Sequence, residues 1–391
     1  MNASPVIVAA RRTPIGTAGR GFAEHAVDAL AAPVLAAVAA ELAPAGLPID
    51  DVVLGNCMGP GGDLARVASL RAGLGPTVPG VTVDRQCGSG LDAVMQAASR
   101  VRAGDARLVL AGGAESASTA PHRVWPDTGE RYSRAPFAPA GFADPDMGPA
   151  AEHLAAVRGI SRERQDAWAG RSHRLALAAQ AAGRFDAELV PVGGVARDDR
   201  PRAMSAAVLA RFAPAFASGS APGSPSGALG DAAAAPGTVT AGNSCGFSDG
   251  AAAMAVTLPE IARELGLPAL RVRAVAVAAG DPALPGLGAA PAAASALARA
   301  GLDARELGFV EITEAFAAQL LAVSDALALD ESVINTEGGA IALGHPWGAS
   351  GAVLLVRLAA RMLSADDDRP GLAACSIGGG QGIAMIVERA A

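Results

Sequence analysis

Short, wholly apolar runs alternate with longer stretches of mixed character along this chain of 391 residues. "PVIVAA" (5–10) holds no polar position and reads as a strand buried on both faces. "HAVDALAAPVLAAVAAEL" (25–42) reads as a helix and "IDDVVLGNC" (49–57) as a second strand. "SGLDAVMQAASRVRAG" (89–104) gathers its apolar residues on one helical face and leads into a further strand, "ARLVLAGG" (106–113). Strands taking turns with helices predict a layered α/β fold around a largely buried sheet.

The pattern then breaks. From Ser116 to Met147 the chain is rich in Pro, Arg, Asp and isolated aromatics, which reads as loop. "SRERQDAWAGRSHRLALAAQAAGRF" (161–185) is a helix, with Ser161 as N-cap, Glu163 in the first turn and Gly183 at the end. Ala217–Gly237 is built from Gly, Ser, Pro and Ala and reads as a flexible stretch. The α/β pattern resumes at Thr238. The order strand, turn, helix, strand, glycines occurs twice, around "DRQCGSGLDAV" and again around "GGAIALGHPWGASGAVLL", which predicts two similar halves with a site between them.

Composition narrows the function classes. Hydrophobic residues are 51% of the chain and aromatics only 3%, so the cores must be packed from Ala, Val, Leu and Ile. The formal charge is -7 with no long basic run, a poor basis for general nucleic-acid binding. Cys57, Cys87, Cys245 and Cys375 show no C-x-x-C spacing, which argues against a zinc knuckle and for reduced thiols. The first apolar run is too short for a signal-peptide core, and no window reads as a membrane span of roughly 20 apolar residues. These readings place the protein in the cytoplasm, with no membrane or nucleic-acid partner.

Two turns carry candidate chemistry. Cys87 stands between a strand and a helix and is followed by Gly-Ser-Gly. Glycines let a ligand approach the backbone, and a helix start offers free N–H groups and a positive dipole end that favours a thiolate. A buried cysteine in a tight turn would look the same. His345 precedes a helix in a turn set by Pro346 and glycines, whereas His25, His122, His153 and His173 lack that punctuation. Cys plus His is the minimum for an activated sulfur nucleophile. "GGGQG" (378–382) lacks the G-K-[ST] ending of a phosphate loop and leads into a strand, so its glycines suit close approach of a ligand.

"RRTPIG", "DRQCGSGL", "GGAES", "GTVTAGNSCGFSDGAA", "EAFAAQ", "GGAIALGHPWGASG" and "GGGQG" are spread from end to end, and together they resemble the thiolase family, the acyl-CoA acetyltransferases. The resemblance implies a five-layered αβαβα fold of two halves: residues 1–117 with 249–268, and residues 269–391. A loop domain, 118–248, would cover the coenzyme A site. It implies a homodimer or homotetramer that uses a coenzyme A thioester as substrate and holds no permanent cofactor and no metal. Cys87 matches the nucleophile that becomes acylated, and His345 the residue that activates it and helps form an oxyanion hole. Gly378 and the Cys87 N–H match a second oxyanion hole, and Met147 and Phe316 match substrate-binding positions.

The match has departures. The family's second cysteine precedes "IGGG", a place held here by Ser376; Cys375 falls one position earlier, on the opposite face of a strand. The sequence therefore predicts that Ser376 faces the site, unless a bulge turns Cys375 inward. A serine hydroxyl is a far weaker acid than a thiol and a poor α-proton base. Thr313 replaces the Asn that positions an oxyanion-hole water, Cys245 a serine near the pantetheine arm, Asp146 a histidine and Ala213 an arginine. The favoured expectation is an acyltransferase that loads Cys87 and passes the acyl group to an acceptor in a specialised biosynthetic role. The alternatives are an ordinary acetyl-CoA C-acetyltransferase with Cys375 or another group as base, and an acyl-CoA-binding protein of reduced activity. Trp125 and Trp347 stand near the predicted site loops as pocket or core residues.

Overall fold

The computed structural model describes residues 4–132, 134–216 and 237–390. The stretch read as flexible lies, but for Gly237, outside these residues. The first half runs β1 (Val6–Arg12), β2 (Gly16–Thr17), α1 (Val27–Leu42), β3 (Asp51–Gly55), α2 (Leu64–Arg71), β4 (Gly80–Val83), α3 (Ser89–Ala103) and β5 (Leu108–Ser116). A less regular stretch follows, with the two-residue strands β6 (Arg123–Val124) and β7 (Arg131–Tyr132) and the helices α4 (Met147–Arg158), α5 (Arg162–Ala181) and α6 (Ala206–Leu209). The chain then returns to the first half through β8 (Ser248–Thr257) and α7 (Pro259–Glu264). The second half is β9 (Leu270–Ala279), α8 (Ala289–Ala300), β10 (Phe309–Ile312), α9 (Ala317–Leu327), α10 (Ala340–Leu343), α11 (Trp347–Ser364), β11 (Gly371–Ile377) and β12 (Gln381–Arg389).

The main sheet has the order β10-β11-β12-β9-β1-β8-β5-β3-β4. The two half-sheets join where β1 pairs antiparallel with β9 over Val6↔Arg271 and Ile7↔Leu270. Helices α3 and α11 pack together between the half-sheets; α1 and α2 cover one outer face and α8 and α9 the other. That makes five layers. Every residue of β5 and β8 is buried, as strands covered on both faces require.

Small residues set the spacing of the middle layer. A Cβ on Gly90 of α3 would lie 2.9 Å from the Ala352 nitrogen of α11, and one on Gly351 of α11 would lie 2.5 Å from the Leu91 nitrogen. The glycines after Cys87 and His345 thus let two helix starts approach backbone to backbone. A buried ion network ties the segment after α5 to both halves. Arg12 Nε donates to Glu188 at 2.6 Å and its Nη1 to Asp198 at 2.7 Å; Arg357 of α11 shares Glu188 and pairs with Glu337. Phe185 lies against both guanidiniums, at 5.4 and 4.4 Å.

One expectation is corrected. Val27–Ala45 is long and apolar enough to cross a membrane by length and composition. The fold uses it otherwise: Leu30, Val34, Leu35 and Val38 are buried against the sheet.

Candidate active site

Cys87 is held by a strained turn. Gln86 adopts a positive φ of 46°, and its N–H donates to Asp84 Oδ1 at 2.8 Å. The Ser89 hydroxyl donates to the Gln86 carbonyl at 2.6 Å and accepts from the Arg85 N–H at 2.8 Å, closing the turn from the first residue of α3. A Cβ on Gly88 would lie 2.4 Å from Ile377 Cδ1, so the turn sits directly on the end of β11. Burial pushes the Cys87 thiol up, and the neighbouring thiols of Cys375 and Cys245 add to this. Cys87 is therefore a thiol at neutral pH and needs a base to become a nucleophile.

His345 stands at the mirrored place, two residues before α11. Its backbone N–H donates to Ser248 Oγ at 3.1 Å, and its Nδ1 lies 2.6 Å from Ser350 Oγ. Nε2 is buried and has no partner among the described residues. Burial pulls the imidazole down to about 4, so it is neutral near pH 7. Ser350 can accept from Nδ1–H, leaving a basic lone pair on Nε2, or donate to Nδ1, leaving Nε2–H as a donor. One ring can thus take a proton in one step and hold an oxyanion in another.

Cys375 and Ser376 fall on opposite faces of β11, and the β11–β12 ladder runs without a bulge from Gly371↔Val387 to Ile377↔Gln381. Cys375 is fully buried with Leu91 and Val94 of α3, and its Sγ lies 3.1 Å from Thr313 Oγ1. Its thiol is pushed up to about 12 by burial, with the Thr313 hydroxyl working the other way. Ser376 turns toward α8 and α9: its hydroxyl donates to the Gly286 carbonyl at 2.7 Å and accepts from the Ala289 N–H at 3.1 Å and Gln319 Nε2 at 3.3 Å. The sequence expects Ser376 to face the site; in the fold its side chain lies on the α8 side of β11 and that of Cys375 on the α3 side. Ser376 satisfies the turn before α8, and the sulfur on the α3 side is Cys375. No bulge is needed to put it there.

The other predicted residues sit in loops and at the ends of elements. The Cys245 N–H donates to the Ala315 carbonyl at 3.0 Å, next to Phe316 at the start of α9. The Cys245 thiol is pushed up to about 12 by burial, opposed by the Arg200 guanidinium. Phe316 meets Phe216 edge-on at 6.4 Å, and Phe216 fills the space a Cβ on Gly148 would need, so Met147, at the start of α4, is neighbour to this aromatic pair. Gly378 lies in the turn after β11, where a Cβ would be 2.5 Å from the Phe137 ring. Trp347 packs edge-on against the exposed Phe247 at 5.3 Å; Trp125 instead stacks on Tyr132 at 4.4 Å in the β6–β7 hairpin.

Several residues of the site escaped the sequence reading. Glu115 accepts from Asn56 Nδ2 at 2.9 Å and from the backbone N–H groups of Cys57, Met58 and Gly348 at 3.1, 3.2 and 3.1 Å. It fastens the first half to the start of α11, where a carboxylate also meets the positive end of the helix. Glu314 plays the corresponding part in the second half, accepting from Trp168 Nε1 and Ser172 Oγ of α5, from Asn335 Nδ2, and from the Ile341 N–H. Phe137 came from a stretch without periodicity, and Arg134, held by Asp144 and Asp146, stacks on it at 4.8 Å. Cys57 stands 3.7 Å from Ser89 Oγ, beside the Cys87 turn. The only signal for Glu115 and Glu314 was their place in "GGAES" and "TEAF".

Known proteins resemble this chain along its whole length. Residues 5–259 match the family description "Thiolase, N-terminal domain", and residues 267–389 match "Thiolase, C-terminal domain". The acetyl-CoA acetyltransferase of Cupriavidus necator is 42% identical over 397 residues, covering 98% of this chain and 99% of that protein. That of Escherichia coli K12 is 41% identical over 409 residues, covering 98% of each. The crystal structure of the Bacillus anthracis acetyl-CoA acetyltransferase superposes with a TM-score of 0.88 at 35% identity over 100% of both chains. With both halves matched and the fold shared throughout, the chain belongs to the thiolase family and is an acyltransferase.

Proposed function

We propose that the protein is an acetyl-CoA C-acetyltransferase working in the cytoplasm, which joins two acyl-CoA molecules or cleaves a 3-ketoacyl-CoA with free coenzyme A. The observation that carries this reading is the neutral His345 with its free, buried Nε2, set at a helix start that mirrors the Cys87 turn. The names of the relatives support the choice of carbon–carbon chemistry over other acyl transfers.

In the first step Cys87 Sγ attacks the thioester carbonyl while its proton passes to His345 Nε2. The tetrahedral oxyanion collapses, the carbon–sulfur bond to coenzyme A breaks, and the leaving thiolate takes the proton from His345. In the second step Cys375 takes an α-proton from a second acyl-CoA as its own proton passes to His345. The resulting carbanion attacks the acyl carbon on Cys87, and the Cys87 sulfur leaves and takes the proton held by His345. Donors aimed at such an oxyanion are worth about 3 kcal/mol each. The Cys87 and Gly378 N–H groups serve one oxyanion and His345 Nε2–H the other. Thr313, on Cys375, stabilises its thiolate with a hydroxyl.

The saturated Ser376 hydroxyl and the enclosed Cys375 favour a second reading, in which Cys87 hands its acyl group to an acceptor that needs no deprotonation. Thiolysis of acetoacetyl-CoA separates the two. The first reading predicts thiolysis that falls at least about a hundredfold in Cys375→Ala and little in Ser376→Ala. Absent thiolysis with an intact Cys87 adduct would move the assignment to the second. Among the described residues the edge strand β4 pairs only with β3, and we assign its free edge to a second copy in a homodimer.

A further inference from the structure

Behind the catalytic turns lies a small pocket of about 20 Å³. Its wall includes Thr313, Ser350, Glu311, Val353, Gly344 and Arg357, and all but one of its lining residues are buried. His345 is not among its lining residues, although its neighbours Gly344 and Pro346 are. Its volume suits one water, since a water needs about 10–15 Å³ of this measure and two to four polar partners. The charged groups in its wall are already paired, Glu311 with Arg361 and Arg357 with Glu188 and Glu337. The two hydroxyls differ: each touches one member of the catalytic set and keeps further hydrogen-bonding capacity. Ser350 Oγ is 2.6 Å from His345 Nδ1, and Thr313 Oγ1 is 3.1 Å from Cys375 Sγ.

We propose that one buried water in this cavity bridges Ser350 and Thr313 and so connects Cys375 to His345 as a proton path. The path rests on the reading above, in which Cys375 is the α-proton base. A proton leaves Cys375 Sγ for Thr313 Oγ1, and the threonine's own proton passes to the water. One water proton moves to Ser350 Oγ, and the serine proton arrives at His345 Nδ1. In the same event Sγ takes the α-proton, so five bonds to hydrogen form as five break, the thiol stays neutral, and the imidazolium, with Nε2–H directed forward, faces the carbanion charge. Ser350 and Thr313 are positioning residues in this scheme.

The test combines crystallography with exchange of acetyl-CoA α-protons in deuterated water, which reports α-proton removal without requiring condensation. High-resolution crystals of the unmodified protein should show one ordered water within hydrogen-bond reach of both hydroxyls. Thr313→Val should slow exchange by at least about tenfold, and Thr313→Ser should restore it to within about threefold. Val353→Ile adds a methyl group to the cavity wall and leaves both hydroxyls in place; it should expel the water and slow exchange by a similar factor. An empty cavity in the unmodified protein overturns the proposal. So does unchanged exchange in a folded Val353→Ile protein whose crystals show the cavity filled. Failure of the functional reading looks different: the unmodified protein would itself show no exchange of α-protons, whatever the crystals show at the water site.

Discussion

Gly351 of α11 meets Leu91 of α3 with no space for a side chain, a Cβ there lying 2.5 Å from the Leu91 nitrogen. This contact fixes the distance between the two helix starts that carry Cys87 and His345. Replacing Gly351 with Ala must push α3 and α11 apart, because the obstacle is backbone and cannot rotate away. Overpacking of this kind costs about 1–3 kcal/mol. Gly351→Ala should therefore shift the denaturant midpoint downward and slow acylation of Cys87 beyond what the stability loss explains.

Glu115 gives a second prediction. Its carboxylate collects four N–H donors from Asn56, Cys57, Met58 and Gly348. An amide in its place would aim an NH₂ group at donors. Glu115→Gln should cost about 2–3 kcal/mol in equilibrium unfolding, since hydrogen bonds to a charged group are at the strong end of the range. Burial raises the Glu115 carboxyl, so acid should reach this anchor sooner than an exposed glutamate.

The sequence revealed the Cys87 and His345 turns because both combine glycine punctuation with a reactive side chain at a helix start. It revealed the alternating elements for the same reason, since one buried sheet imposes one pattern. It did not reveal Thr313 against Cys375, because that contact crosses the parallel β10–β11 pair, sixty-two positions apart in the chain. Nor could strand alternation decide the fate of Ser376. Alternation puts Ser376 and Cys375 on opposite faces, but which face meets α3 depends on how α8 and the turn at Gly286 pack. Phe137 reaches Gly378 from an irregular loop, where no period predicts a partner.

His173 and His345 should make the protein acid-sensitive. Burial comes first among the causes that lower both to about 4, from 6.5 for an ordinary histidine; Arg202 and Arg200 also lower His173. The unfolded chain then binds protons that the folded chain refuses. Stability is complete above pH 6.5 and is lost as pH falls from 6.5 toward 4. Unfolding measured at pH 7, 6 and 5 should show this decline, and His173→Gln should make it about half as steep. A flat profile across that window contradicts the burial argument.

Phe137 should protect the acyl-enzyme. Its ring occupies the space beside Gly378, held there by Arg134 at 4.8 Å. Phe137→Ala opens that space to water. The variant should still become acetylated on Cys87 but lose the acetyl group to hydrolysis at least about tenfold faster, read by mass spectrometry over time after acetyl-CoA is removed.

The reading as a whole depends on covalent capture of an acyl group by Cys87 with His345 as base. The most direct measurement is intact mass with peptide mapping after brief incubation with acetyl-CoA. The account predicts a single acetyl group on Cys87, absent in Cys87→Ala and formed at least about a hundredfold more slowly in His345→Ala. An unmodified protein, or an adduct that persists in Cys87→Ala, would contradict it.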